Sequence, residues 1–260
     1  SFDAHYSVAT ACSPSRSALV TGLYTHQNGM FLTNVEGLAG QPPTPDLNPD
    51  WPTWGSVLKC DYDYSTFWWG KWHLSIDCPL DKYGFQKNAL PCPSPNGAPG
   101  EGLEVDPTIA DLFIDWLESY NDEKPWCTTV SLVNPHDIQW FPKYSKTVPG
   151  EDNPPPIPDF HEGLPKNFER WPEAIFLQNK PRSQAAWALI TDMVFGVMPY
   201  HGHNFEELWF ELLDLYYLTT QYVDEQIGRV LRALEESKYS DNTVIIFTSD
   251  HGEYGGANGL

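Results

Sequence analysis

Four short clusters of this chain carry residue types that can do chemistry. Cys12 begins the run Cys12-Ser13-Pro14-Ser15-Arg16, and Lys71 and His73 share Gly70-Lys71-Trp72-His73. His136 stands in Asn134-Pro135-His136-Asp137, and Asp250 and His251 in Ser249-Asp250-His251-Gly252. An arginine, a lysine and a cysteine at a helix start, gathered around one point, suit a tetrahedral anion such as sulfate or phosphate. Asp250, helped by His251, can hold a divalent cation as a Lewis acid. The histidines can move protons near neutral pH. An ordinary thiolate nucleophile at Cys12 fits the same residues.

The elements that must position these clusters can be read from the same sequence. Pro14 suits a first helical turn and Gly22 a helix end, so Ser13 to Gly22 reads as a short helix with Cys12 at its N-terminus, where free N–H groups favour negative charge. Trp54 to Cys60 reads as a second short helix. Tyr64 to Gly70 and Trp126 to Val133 read as buried strands, and Thr243 to Thr248 as a third strand. Apolar residues at Ile109, Leu112, Phe113, Trp116 and Leu117 mark a helix over Pro107 to Tyr120. Another helix is expected from Phe205 to about Lys238, with a break near Leu218.

Residues of about 78–107 and 141–204 are rich in proline or irregular, and read as loop insertions within a single domain covering 1–260. Strands alternating with helices predict an α/β fold, a mostly parallel central sheet with helices on both faces. Ligands in such sheets bind beyond the carboxyl ends of the strands. Lys71/His73, His136 and Asp250/His251 each fall just after a predicted strand. Taken singly, a buried cysteine beside a proline turn, or a histidine in an Asn-Pro-His turn, has an ordinary structural explanation. It is their convergence that predicts a site.

Cys12-Ser13-Pro14-Ser15-Arg16, followed by Thr21-Gly22, resembles the signature of type I sulfatases, Cys (or Ser)-x-Pro-x-Arg followed shortly by Thr-Gly. Gly70-Lys71-Trp72-His73, Asn134-Pro135-His136-Asp137 and Thr248-Ser249-Asp250-His251-Gly252-Glu253 match further marks of that family in order. The resemblance implies an alkaline-phosphatase-like α/β core and hydrolysis of a sulfate monoester. It also implies that a formylglycine-generating enzyme oxidises Cys12 to formylglycine, whose hydrate is a gem-diol. One hydroxyl of the hydrate attacks sulfur and the alcohol leaves. Loss of a proton from the second hydroxyl then expels sulfate and restores the aldehyde.

On this resemblance Arg16 steadies the hydrate, Lys71 binds sulfate oxygens, and His73 is the base for elimination. His136 binds sulfate or protonates the leaving alcohol. Cys12, Asp250 and His251 belong to the metal site, with Ca2+ expected and Mn2+ or Mg2+ as alternatives. His251 stands where many sulfatases have asparagine, and there resembles the choline-sulfatase and phosphonate-monoesterase branches. The family's acidic pair on a first strand finds no match among Ser1 to Ala11, Asp3 included, and a further substrate lysine is expected beyond Leu260. The chain is therefore expected to be a fragment lacking the first strand and a C-terminal part.

Composition narrows the partners. Fifteen basic against 35 acidic residues give a net charge of -20, which argues against a nucleic-acid partner, because phosphate backbones are met with basic surface. No stretch is long and apolar enough to cross a membrane; the location stays open, with a periplasmic or secreted one favoured. Five cysteines show no zinc-type pairing. The loop-rich stretch holding Cys60, Cys78 and Cys92 leaves room for disulfide pairing among them, with Cys12 left over. A sulfated carbohydrate is the favoured substrate because the expected pocket loops are long and aromatic. A phosphodiester or phosphonate monoester hydrolase, an inactive anion-binding relative and a thiol enzyme stay open as alternatives.

Overall fold

Phe67 and Trp69 point to one side of a strand and Trp68 to the other, and this alternation organises the sheet. In the computed structural model, which describes residues 2–35, 44–86, 97–141, 181–184, 186 and 205–257, strand β1 (Ser65–Gly70) pairs in parallel with β2 (Trp126–Ser131). The register sets Ser65 opposite Trp126 and Gly70 opposite Ser131. Helix α1 spans Cys12–Thr21, α2 Thr25–Asn28, α3 Trp54–Asp61, α4 Glu101–Ser119 and α5 Phe205–Glu236. On one face of β1, the rings of Phe67 and Trp69 lie 4.7 Å and 5.7 Å from Trp116 of α4. On the other, Trp68 meets Trp54 of α3. The expected α/β arrangement, a parallel sheet with helices on both faces, is thus present.

The chain divides into two compact units. The first holds residues 1–96, 105–132 and 226–252. Its core gathers Val20, Met30, Leu47, Trp68, Trp72 and Phe85 with their neighbours. Burying so much aromatic surface is the main stabilising term here, at roughly 25 cal/mol per Å² of apolar area. The second unit holds residues 97–104, 133–225 and 253–260. There Trp209 and Leu215 of α5 pack with Ile138 and Phe141.

The helix at Cys12 follows the expected chemistry. Gly22 closes α1 in the left-handed conformation, φ 71°, and its N–H donates to the Ala18 carbonyl. Thr53 caps α3 by accepting from the Ser56 N–H, and Ser56 Oγ returns a bond to the Thr53 N–H. Gly70 ends β1 at φ 87°, where a Cβ would run into the Ser131 carbonyl oxygen. Only glycine allows the chain to turn there and deliver Lys71.

Several expectations need correction. Helix α4 begins at Glu101, not Pro107, so the irregular segment ends earlier and Pro107 lies inside the helix. Glu101 accepts from the N–H groups of Gly97 and Ala98, and Asp137 from that of Gly102. The Asp137 carboxylate thus caps the helix ahead of the proline. Helix α5 runs unbroken past Leu218, with the Thr219 and Thr220 hydroxyls bonded back to the Leu215 and Tyr216 carbonyls.

Residues 243–248 form no strand among the described residues. Val244 and Ile246 are 88% and 85% exposed. Apolar β-branched residues give a strand signal, but a strand exists only where a neighbour takes its N–H and C=O groups. Cys60 is an exposed thiol that enters no disulfide among the described residues, and Cys92 lies outside them.

Candidate active site

Cys12 is the first residue of α1 and is 8% exposed. Helix geometry leaves the N–H groups of the first turn without intrahelical partners, and they favour negative charge beside it. Its Sγ lies 3.2 Å from His251 Nε2, and Lys71 Nζ lies 3.8 Å from the same sulfur. Lys71 is buried immediately after β1, and its own N–H donates to the Ser131 carbonyl at 2.9 Å. Two residues on, His73 stands in the left-handed region at φ 57°.

Arg16, one turn after Cys12, is buried and fully engaged. Its Nε donates to the Trp72 carbonyl at 3.0 Å, and Nη2 to Ser131 Oγ at 2.6 Å and to the Lys71 carbonyl. Nη1 pairs with Asp250 Oδ2 at 3.2 Å, and the guanidinium lies over the Trp68 ring. Ser15 Oγ donates to the Asp250 carbonyl, and the His251 N–H to Asp250 Oδ1. One guanidinium therefore ties α1, the residues after β1, the end of β2 and the Asp250 segment together.

Burial lowers the His73 pKa below its ordinary value; the Cys12 sulfur opposes this, while the charges of Lys71 and Arg16 reinforce it. Its hydrogen bond to Cys12 pushes His251 up to about 9, against the effect of burial. His251 Nδ1 lies 2.8 Å from the Gly252 carbonyl. That carbonyl can only accept, so Nδ1 carries a proton, and in the neutral ring Nε2 is the nitrogen with a lone pair for a ligand bond.

The sulfur of Cys12, a carboxylate oxygen of Asp250 and a nitrogen of His251 all lie within 4.8 Å of one another. These donors fit a divalent cation. With a thiolate the set is soft. With an oxygen in place of the sulfur it would become two oxygen donors and an imidazole, a set suited to Ca2+, Mn2+ or Mg2+.

Six of the seven expected residues thus come together in the first unit: Cys12, Arg16, Lys71, His73, Asp250 and His251. His136 belongs to the second unit, opening a 3₁₀ turn over His136–Trp140 after a cis Asn134–Pro135 bond. Its Nδ1 is buried without a hydrogen-bond partner among the described residues, and Gly97 leaves no room for a Cβ against the ring. Asn34 and Ser131, which hold parts of the site in place, had no motif to announce them, and Ser13 fills a variable position of the Cys-x-Pro-x-Arg pattern. Their bonds run largely through backbone atoms and so leave little mark on residue spacing.

A cysteine at a helix start, with arginine, lysine and two histidines gathered beyond a parallel sheet, is an arrangement suited to binding an anion on an α/β scaffold. A model of the sulfatase family matches residues 1–260, and the chain belongs to that family. It is 28% identical to the uncharacterized sulfatase YidJ of Escherichia coli, over 100% of this chain and 51% of that protein. It is 28% identical to an ulvan-active sulfatase of Formosa agariphila, over 97% and 43%. An N-acetylglucosamine-6-O-sulfatase of Bacteroides thetaiotaomicron is 24% identical, over 99% and 52%. The solved structure of a 2-O GAG sulfatase superposes with a TM-score of 0.62 at 21% identity, over 97% of this chain and 50% of that one. The chain spans about half the length of the curated relatives it matches.

Proposed function

We propose that the protein containing this chain hydrolyses sulfate monoesters of carbohydrates, using a formylglycine made from Cys12. The observation that carries the proposal is the placing of Cys12 Sγ against His251 Nε2 and Lys71 Nζ, with Arg16 locked one turn away. The sulfur marks where the hydrate oxygens of formylglycine would stand. The carbohydrate class is supported by the names of relatives active on ulvan and on N-acetylglucosamine 6-O-sulfate.

In this scheme a hydrate hydroxyl attacks the ester sulfur, the S–O bond to the alcohol breaks, and the alcohol takes up a proton. Lys71 offers a fixed cation to the sulfate oxygens as charge gathers on them. Arg16, held by four protein partners, keeps its charge beside the hydrate without reorganising. His73 accepts the proton of the second hydroxyl, the C–O bond to sulfate breaks, and the aldehyde re-forms. For His136, the assignment as proton donor to the alcohol rests on the Asn-Pro-His motif. Asp250, His251 and the converted Cys12 would hold a divalent cation, Ca2+ foremost, which supplies Lewis-acid polarisation when bound. A formylglycine-generating enzyme is the maturation partner this requires.

The test is the full-length protein purified after co-expression with that maturation enzyme. It should hydrolyse an aryl sulfate and a sulfated sugar faster than a phosphodiester, and its Cys12 peptide should have lost sulfur and two hydrogens and gained one oxygen. A dominant phosphodiesterase rate would replace the sulfatase proposal with a phosphodiester or phosphonate hydrolase. An unconverted Cys12 in an active enzyme would establish thiol catalysis.

A further inference from the structure

His73 adopts a backbone conformation that costs a non-glycine residue energy, φ 57°, and it is 5% exposed. Something must hold it there. Ser13, immediately after Cys12 and wholly buried, donates from Oγ to the His73 carbonyl at 2.6 Å. The same Oγ accepts from the Asn34 N–H at 2.8 Å. The Asn34 carbonyl lies 2.9 Å from His73 Nε2. Asn34 and Ser13 therefore grip both the backbone and the ring of His73.

Asn34 is itself fixed. It is 2% exposed, and its Nδ2 donates to Asp46 Oδ1 at 3.0 Å and to the carbonyls of Thr44 and Pro45 at 3.3 Å. Val35 and Thr44 are bonded to each other next to it. An asparagine whose amide is spent on such anchoring holds its own main-chain carbonyl rigidly.

A carbonyl oxygen only accepts, so the Nε2 it faces must carry the proton. In the neutral ring Nδ1 is then the lone-pair nitrogen. Among the described residues Nδ1 is buried with no hydrogen bond of its own, while Cys12 is near enough to influence the ring's pKa. We infer that Asn34, linked to His73 through the Ser13 hydroxyl, is a positioning residue that fixes the Nε2–H tautomer of His73 and reserves Nδ1 as a proton acceptor beside Cys12. This rests on the role proposed for Cys12 and His73, and extends it to two residues outside the set proposed to meet substrate or cation.

The tautomer can be read without turnover. Full-length protein labelled with ¹⁵N-histidine should show, for the signal that disappears in His73→Ala, a protonated Nε2 and an unprotonated Nδ1. Asn34→Ala should mix the two tautomers and lower kcat by about tenfold or more, with KM changed by no more than about twofold. Ser13→Ala, which removes the link but leaves Asn34 anchored, should do the same, and decides the matter if Asn34→Ala does not fold. A protonated Nδ1 in the wild type overturns the inference, as do wild-type nitrogen shifts and kcat in the folded variants. Expected shifts in a protein that hydrolyses no sulfate ester would leave the positioning in place and remove the sulfatase proposal. The opposite result, hydrolysis with the wrong tautomer, would remove the positioning alone.

Discussion

Arg16 Nη1 and Asp250 Oδ2 lie 3.2 Å apart although 234 positions separate them in the chain. Both are largely shielded, with side-chain exposures of 8% and 21%. Removing one member of such a pair leaves a charge with little solvent to replace its partner, which costs about 3 kcal/mol when burial is deep. Arg16→Ala should therefore lower the denaturant midpoint as well as abolish hydrolysis. Arg16→Lys keeps the charge, yet one ammonium cannot serve the Trp72 and Lys71 carbonyls, Ser131 and Asp250 together. It should recover part of the stability and little of the activity, a split that urea titration alongside an aryl-sulfate assay would measure.

Cys12→Ser distinguishes a hydrate nucleophile from a simple one. A serine oxygen can attack the ester sulfur and release the alcohol, but it has no second hydroxyl from which to expel sulfate. Where the maturation enzyme does not convert serine, the variant should release at most one alcohol per protein molecule and accumulate a sulfated residue at position 12. Rapid-quench measurement of the alcohol and intact mass of the protein would show both. Continued turnover by an unmodified hydroxyl would contradict the elimination step.

Much of this site was legible in the sequence, for physical reasons that differ by residue. Pro14 and Gly22 bound α1 through backbone preferences, so the helix start at Cys12 follows from local chemistry. Lys71 and His73 follow β1 because a run of aromatic residues ending at Gly70 has few other homes. Residues 243–248 show the opposite case, since their apolar pattern is local but a strand is a property of two segments. Asn34 and Ser131 were hidden for a related reason. Asn34 acts through a main-chain carbonyl, which every residue possesses, and Ser131 through a hydroxyl at a strand end, so neither residue type distinguishes them.

The donor set proposed for the cation, Asp250, His251 and a converted Cys12, predicts cation-linked stability. A cation bound only to the native state adds RT ln(1 + [L]/Kd), about 2.7 kcal/mol at a hundredfold excess over Kd. Chelation followed by dialysis should lower the melting temperature of the full-length protein, and Ca2+, Mn2+ or Mg2+ added separately should restore it in the order of their affinity. In Asp250→Asn and His251→Ala the restoring shift should shrink or vanish. An undiminished shift in both variants would place the cation elsewhere.

Asp137 offers a pH test in the second unit. Burial pushes its carboxyl above the ordinary value, while hydrogen bonds from the Gly102 and Leu103 N–H groups and Asn134, and the charge of His136, pull the other way. A carboxyl with a raised native pKa holds its proton more tightly folded than unfolded, so the native state binds more protons across that interval. Unfolding free energy then falls as pH rises. The contribution is most favourable below the unfolded-chain value of about 3.9 and is lost as pH passes through the higher native one. Asp137→Asn keeps an oxygen acceptor for Gly102 and removes the titration. The stability difference between wild type and this variant should therefore move against the wild type between acid and neutral pH, as chemical denaturation at a series of pH values would record. A difference independent of pH would mean that Asp137 titrates alike in the folded and unfolded chain.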